Sequence, residues 1–467
     1  MTDVSKDKNT IIKTEKEARG LYVPSPKEFT GKVGIEVEMW LYKQGIDKPE
    51  IPEAATMQLI QNELKTKGYD AQLEAAGVLE YASQPSDLKD VAELVQKVNV
   101  DLKEFEYAAS RHGYKRAVCS ILPTVTTDEA WEHRVSRERL ELAISHVKKT
   151  YNQHALNIPL LTTGVQTSFS PSNENEMFKM MYRASALTPL LIASMNSSTG
   201  FAENKNERMN FHPRSKYYES YGKFGGLSEA FLKASSGKEL IKNHINEVFD
   251  RHMFFAYDHE GKPIKQKGKK PLTFRSLIAE GLNTQSNYEL AETFFYNDLK
   301  ICNLRDEAGQ TVGKRLEVRA ADSGKHQASS TLLLTAALVP EGKSAMAFEK
   351  LLHAYGFKGD PKQDAELLAS SRKAAVDHHG KFMDVSFGTG KLRDFAKDVA
   401  DIIIDHYKEN KNIAKEVLKL TDILVTGNCD AKIFASKYKT LQDVNNDLQR
   451  GGMSKPANRV EEIRIGL

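Results

Sequence analysis

In the segment GKVGIEVEMW, Val33, Ile35, Val37 and Met39 alternate with Gly34, Glu36, Glu38 and Trp40. A period of two sends successive side chains to opposite faces, so the segment predicts a strand with one apolar face and Glu36 and Glu38 together on the other. Far along the chain, GKRLEVRAAD repeats the pattern, with Arg315, Glu317 and Arg319 alternating with Leu316 and Val318. Two further segments belong with these. GVLEYASQP puts Glu80 in line with Val78 and Ala82, and TTGVQTSFSP puts Gln166, Ser168 and Ser170 opposite Val165, Thr167 and Phe169. Charged side chains are seldom buried unless they are paired or bind something. Two readings are therefore open: solvated edge strands with cross-strand ion pairs, or four strands that together floor a polar cavity. Oxygen-rich clusters of this kind suit hard cations such as magnesium, which bridge carboxylates to phosphates.

Between these strands the period changes to that of a helix. From Ser86 to about His112, the residues Leu88, Val91, Val95, Val98, Leu102 and Phe105 recur at helical spacing, with Ser86 as N-cap. Thr126 and Glu129 stand at capping-box spacing ahead of another helix. NEMFKMMYRASALTPLLIASMNSS reads as a core helix that Pro189 kinks or divides. The polar, aromatic stretch after it has the composition of a site-lining loop. MFFAYDHEGKPIKQKGKKPLTFRSLIAEGL predicts a hairpin whose turn carries Lys262, Lys265, Lys267, Lys269 and Lys270, followed by a helix. The pattern from about residue 326 to 445 is mainly helical. FGTGK at 387–391 lacks the GxxxxGK[ST] spacing of a phosphate loop. The adjacent His378 and His379 do not converge well on one metal and are read as loop or surface residues.

Length and composition narrow the class. A chain of 467 residues, 40% hydrophobic, can bury a large core. Its 66 basic and 63 acidic residues nearly cancel, which gives no steer toward nucleic acid or membrane and favours small-molecule partners. Cys119, Cys302 and Cys429 are scattered, without zinc spacing, and fit a reducing cytoplasm. No run of 18 or more apolar residues occurs, and the first twenty residues are too charged for a signal peptide.

Taken in order, these pieces resemble the glutamate-cysteine ligase family, in its plant-like and proteobacterial branch of carboxylate-amine ligases. GIEVE is similar to the family's opening strand with its ExE metal ligands, and LEYASQPSDL to its second acidic strand. TTGVQTSFSP is similar to the VQVN segment, PLTFRSLIAEGL to the TFR helix start, and GKRLEVRAAD to the KRYLEMRGAD strand. There are departures. Many relatives have a histidine at the position of Gln166, the histidine before the last acidic strand is Tyr288 here, and the loop after Gly200 matches only through Arg208. These departures fall where substrate is chosen.

The resemblance implies an α+β fold like glutamine synthetase, a curved antiparallel sheet forming a funnel covered by helices. It implies one catalytic domain over residues 26–445, with a lead at 1–25 and a tail at 446–467. The implied chemistry is ATP-dependent amide formation through an acyl phosphate, by default from glutamate to cysteine or a related amine. ATP and magnesium are the expected cofactors. Glu36, Glu38, Glu80 and Glu317 would hold magnesium, with Glu74 and Gln166 as secondary candidates. Arg319 would neutralise the transferring phosphoryl group, Arg208 would grip a substrate carboxylate, and Arg315 would serve either purpose. Two alternatives stay open: a ligase that modifies a protein acceptor, and a non-catalytic ATP-binding homologue.

Overall fold

The computed structural model describes residues 10–22, 26–45, 48–266, 270–306 and 308–454. The main sheet is built from β1 (Lys32–Tyr42), β2 (Asp70–Leu73), β3 (Val78–Ala82), β4 (Ser86–Asp87), β5 (Lys115–Arg116), β6 (Gly164–Phe169), β7 (Leu299–Arg305) and β8 (Thr311–Asp322). Its order is β7-β8-β6-β1-β3-β2, and β4 and β5 pair with opposite ends of β1. All of these pairings are antiparallel. The four strands expected to share a face are thus contiguous neighbours, although Glu317 stands 285 positions after Lys32 at the start of β1.

The two faces follow the alternation. Val33, Ile35, Val37 and Met39 are no more than 2% exposed and face the helical layer, together with Leu79, Tyr81, Val165, Phe169, Leu316 and Val318. The helices that matter for the site are α1 (Val91–Arg111), α2 (Glu138–Thr150), α3 (Glu174–Ser194), α4 (Gln285–Thr293) and α5 (Gln327–Leu338). Helix α5 packs on α1, β6 and β1, while α3 packs on β8. Tyr81 marks the helical side directly, since its hydroxyl donates to Asp101 of α1 at 2.8 Å. The other face is left for polar side chains, in an α+β arrangement with a curved antiparallel sheet.

Several local expectations hold and others shift. Thr126 caps its helix through the reciprocal bonds with Glu129. Helix α3 is a buried core element that runs through Pro189 without dividing, and its N-cap Asn173 accepts from two backbone N–H groups. Ser86 is no N-cap: it pairs with Val33 as strand β4, and the helix begins five residues later at Val91. The segment 253–282 forms a short hairpin followed by a helix capped by Thr273, and Lys267 and Lys269 of its turn lie outside the described residues. FGTGK forms a two-stranded hairpin. His378 is buried in its loop and stacked on Phe382, and burial lowers its pKa to about 4.

The described residues of the segments read as a lead and a tail, 10–22 and 446–454, take part in the fold. Ile12 and Tyr22 are buried, and Tyr22 reaches the core through Glu292. Helix Leu441–Gln449 packs through Leu441, Val444 and Leu448, and the Met453 carbonyl accepts from the Val118 amide. No described helix is long and apolar enough to cross a membrane.

Candidate active site on the polar face of the sheet

Strand register builds the site. Glu38 stands directly opposite Glu80, Glu36 opposite Gln166, and Glu317 opposite Ser168 and Lys300. Arg315 lies opposite Cys302. Directly opposed cross-strand side chains come within about 5 Å at Cβ, so the pairing packs acids and bases from β1, β3, β7 and β8 onto one face, with Gln166 and Ser168 of β6 among them.

Strand β8 contains a bulge that changes its parity. Val318 pairs with Thr167 and Ala321 with Val165, so Arg319 and Ala320 together oppose the single residue Gln166. A bulge of this kind re-aims side chains. Its consequence is that Asp322, opposite Gly164, returns to the polar face after Arg315 and Glu317. The Arg319 amide, released from the ladder, donates to the Asp298 carbonyl at 2.8 Å.

The charges neutralise one another in pairs. Arg315 donates to Glu36 at 3.2 Å and to Ser168 at 2.5 Å, and its second terminal nitrogen lies 3.2 Å from Glu317. Arg319 lies 3.4 Å from the other oxygen of Glu317, and the Cys302 thiol donates to that carboxylate at 3.4 Å. Glu38 accepts from the Gly164 amide at 2.6 Å and from Gln166 at 3.0 Å. Burial would raise the Glu317 pKa, but Arg319, Arg315 and Lys300 outweigh it and hold it down. The other acids go the opposite way. Burial and then Glu317 raise Glu36, while burial raises Glu38 against the pull of Arg214. Glu80 is pushed well up, by burial and by the fields of Glu74, Glu36, Glu38 and Glu317. Glu74, where β2 turns toward β3, opens to a cavity and is raised to about 7 by burial and by Glu38.

Among the described residues, no three acidic, histidine or cysteine side chains converge closely enough to enclose an ion. The geometric reason is visible: Arg315 occupies the space between Glu36 and Glu317. The donor chemistry nonetheless fits a hard cation. Glu80, Glu36, Glu38 and Glu74 offer carboxylate oxygens whose mutual repulsion a divalent ion would relieve.

One expected member is absent from the cluster and others join it. Arg208 stacks over Phe201 at 4.9 Å and donates to the Tyr438 carbonyl, so its guanidinium is held away from the acidic face. Arg214 lies at the cluster instead. It is 1% exposed, donates to the carbonyls of Arg319 and Ala321, and lowers Glu38 and Asp322 electrostatically. Asp322 in turn stands 3.2 Å from His212, both fully buried. Tyr288 is buried between Phe249, Phe274 and Tyr22. Lys300 and Cys302 alternate within LKICNLR, a period-two signal that marks them for the same face. Arg214 sits in a short helix after an irregular loop, and no periodicity points to it.

Comparison with known proteins identifies the family. The family model described as glutamate-cysteine ligase family 2 matches residues 32–456, a span that includes every strand of the sheet. The chain belongs to this family. It is therefore a carboxylate-amine ligase by descent. A search among curated proteins finds no match. Among solved structures, the glutamate-cysteine ligase of Francisella tularensis, in complex with AMP, aligns with a TM-score of 0.50 at 14% identity, covering 92% of this chain and 91% of that one. Its likeness extends to the fold, which is the glutamine synthetase-like architecture. Two more distant structures are PafA, the ligase of the prokaryotic ubiquitin-like protein Pup, and a glutamine synthase homologue. The first has a TM-score of 0.35 at 11% identity over 91% of this chain and 71% of that one. The second has a TM-score of 0.31 at 9% identity over 90% and 70%.

Proposed function

We propose that this protein joins glutamate, or a closely related carboxylate, to an amine at the expense of ATP, with cysteine the family's default acceptor. The observation that carries the reading is the register that packs Glu36, Glu38, Glu80, Glu317, Arg315 and Arg319 on one face, most of the acids destabilised by burial and by each other. A solvated edge with routine ion pairs would not raise its carboxylates in this way. The complex of the Francisella ligase with AMP supports adenine-nucleotide use.

A carboxylate is a poor acyl donor. Phosphoryl transfer from ATP makes it an acyl phosphate, and that step depends on positioning and charge neutralisation more than on covalent help from the protein. Glu36, Glu38, Glu80 and Glu317, with Glu74 and Gln166 in support, would hold magnesium, which when bound would supply positive charge against the phosphates. Arg319, fixed at the bulge and paired to Glu317, is placed to neutralise the transferring phosphoryl group. Arg315, now between Glu36 and Glu317, would turn toward the incoming anion and free those oxygens. Arg214, rather than Arg208, is the buried cation beside Glu38 suited to orienting a substrate carboxylate.

The test is magnesium- and ATP-dependent phosphate release with glutamate and a panel of amines, products being identified by mass spectrometry. Glu36→Gln and Glu317→Gln should abolish ligation while leaving the circular-dichroism spectrum unchanged. Normal turnover in either variant would remove that residue from the metal site.

A further inference from the structure

Next to the carboxylate cluster lies a cavity of about 310 Å³. Glu74 forms its link to the cluster, since its carboxylate feels Glu38, Glu36 and Arg319. The opposite wall is aromatic: Phe255, Phe294 and Tyr296 line it, and Tyr296 is itself within the field of Arg319. At the start of α2, Arg137 and Arg139 complete the lining. They also line an outer hollow of about 450 Å³, and so stand between solvent and the inner cavity.

The two arginines are the informative feature. Both are half-buried, and no carboxylate lies in ion-pair contact with either among the described residues. Arg134, three residues earlier than Arg137, shows the contrast, with Glu141 at 3.1 Å and the Trp131 ring beneath it. The acids nearby are Glu74, whose field reaches Arg137, and Asp70 and Glu138 in the outer hollow. Inside the cavity this leaves two cations against one acid. A half-buried guanidinium without a partner costs stability that a bound carboxylate would recover through charge-assisted hydrogen bonds. The volume stands at the lower end of the range for small-molecule pockets.

Resting on the ligase reading above, we propose that this cavity receives the amine acceptor, and that the acceptor is an α-amino acid with a large apolar or aromatic side chain. Its carboxylate is held by Arg137 and Arg139, its side chain lies on Phe255, Phe294 and Tyr296, and its amino group faces Glu74 and the cluster. In the transfer, the nitrogen lone pair forms a bond to the acyl carbon and the carbon–oxygen bond to phosphate breaks. Inorganic phosphate leaves with the electron pair, and the proton lost by nitrogen passes to solvent or phosphate. A cysteine side chain would leave most of the aromatic wall uncovered.

The experiment separates this inference from the reading beneath it. Hydroxylamine intercepts acyl phosphates without needing an acceptor pocket, so hydroxamate formation from glutamate and magnesium-ATP reports activation alone. With the same enzyme, kcat/KM is then measured for phenylalanine, leucine, cysteine and phenethylamine. Phenylalanine or leucine should exceed cysteine by about tenfold or more, the worth of a few buried methylenes. Phenethylamine, which lacks the carboxylate, should fall about tenfold or more below phenylalanine, and Arg139→Gln should shrink that ratio toward one. The ratio is read within one preparation, so a partial loss of folded enzyme cancels. Hydroxamate formation with cysteine preferred, or with phenethylamine as good as phenylalanine, would overturn the acceptor assignment and leave the ligase reading standing. Absence of hydroxamate would overturn both.

Discussion

The buried pair Glu292–Lys314 makes a quantitative prediction about acid stability. Lys314 lies on β8 immediately before Arg315, but its side chain turns to the helical side, where it donates to both oxygens of Glu292 on α4 at 2.7 and 2.8 Å. Asn303 accepts a third bond from it, and the Tyr22 hydroxyl donates to Glu292 at 2.5 Å. The two side chains are 4% and 5% exposed. Burial alone would raise the Glu292 pKa, but Lys314 and His244 bring it from an ordinary 4.5 to about 2. A carboxylate with a depressed folded-state pKa contributes stability that is fully present above about pH 4.5 and fades as the pH falls toward 2. At about 1.4 kcal/mol per pH unit, the contribution is on the order of 3 kcal/mol. Urea unfolding at steps from pH 6 to 3 should show this slope in the native protein and a shallower one in Glu292→Gln. Glu292→Gln and Lys314→Met should each cost about 3–5 kcal/mol at pH 7, because each strands a buried charged or polar partner. The double variant Glu292→Leu with Lys314→Met should recover most of that loss, since a buried ion pair is often replaceable by apolar side chains. Single losses that simply add, or an unchanged slope in Glu292→Gln, would refute the assignment of this pair as the coupled group.

Three other predictions concern the site. Arg319→Ala should lower kcat by about 10² or more if the guanidinium stabilises charge that develops in the transition state; a rise in KM alone would make it a ground-state binding residue. Glu80→Gln removes one charge from the crowded acids, so in metal-free buffer above pH 7 it should raise the melting temperature, and it should diminish the further rise produced by magnesium; a lower metal-free melting temperature would contradict the repulsion inferred for Glu80. Gly164→Ala would drive a methyl group into the Arg214 guanidinium, so activity should fall with little change in far-ultraviolet circular dichroism, and wild-type kinetics would show that Arg214 need not lie against the strand.

The strands of the site were legible because alternation with a period of two survives in any sequence that buries one face of a sheet. It located Glu36, Glu38, Glu80, Gln166, Arg315 and Glu317, and read forward it would also have located Lys300 and Cys302. It could not show which strand pairs with which, because register depends on contacts between segments that the alternation does not link, some close in sequence and some far apart, as Glu317 is from Ser168. The bulge at Arg319 is equally hidden, since GKRLEVRAAD continues through it without a glycine or a break in composition. Ser86 misled for a related reason: a serine ahead of an apolar helical run has the signature of a cap, and only tertiary pairing with Val33 makes it a strand. Arg214 reaches the cluster from a six-residue helix, too short for a period to be read in the sequence.

What the register adds is a reason for the arginines. Five acids brought to one face from β1, β3, β8 and the end of β2 would repel one another strongly enough to oppose folding. Arg315 and Arg319 offset that repulsion through Glu36 and Glu317, and Arg214 does so through Glu38. The same guanidiniums are the groups that an anionic substrate would attract. On the function proposed above, Arg315 and Arg319 would turn from carboxylate to an arriving phosphate and leave Glu36 and Glu317 free to hold a cation. Such an exchange would keep every charge paired, and before substrate arrives the arginines are what hold the carboxylates together.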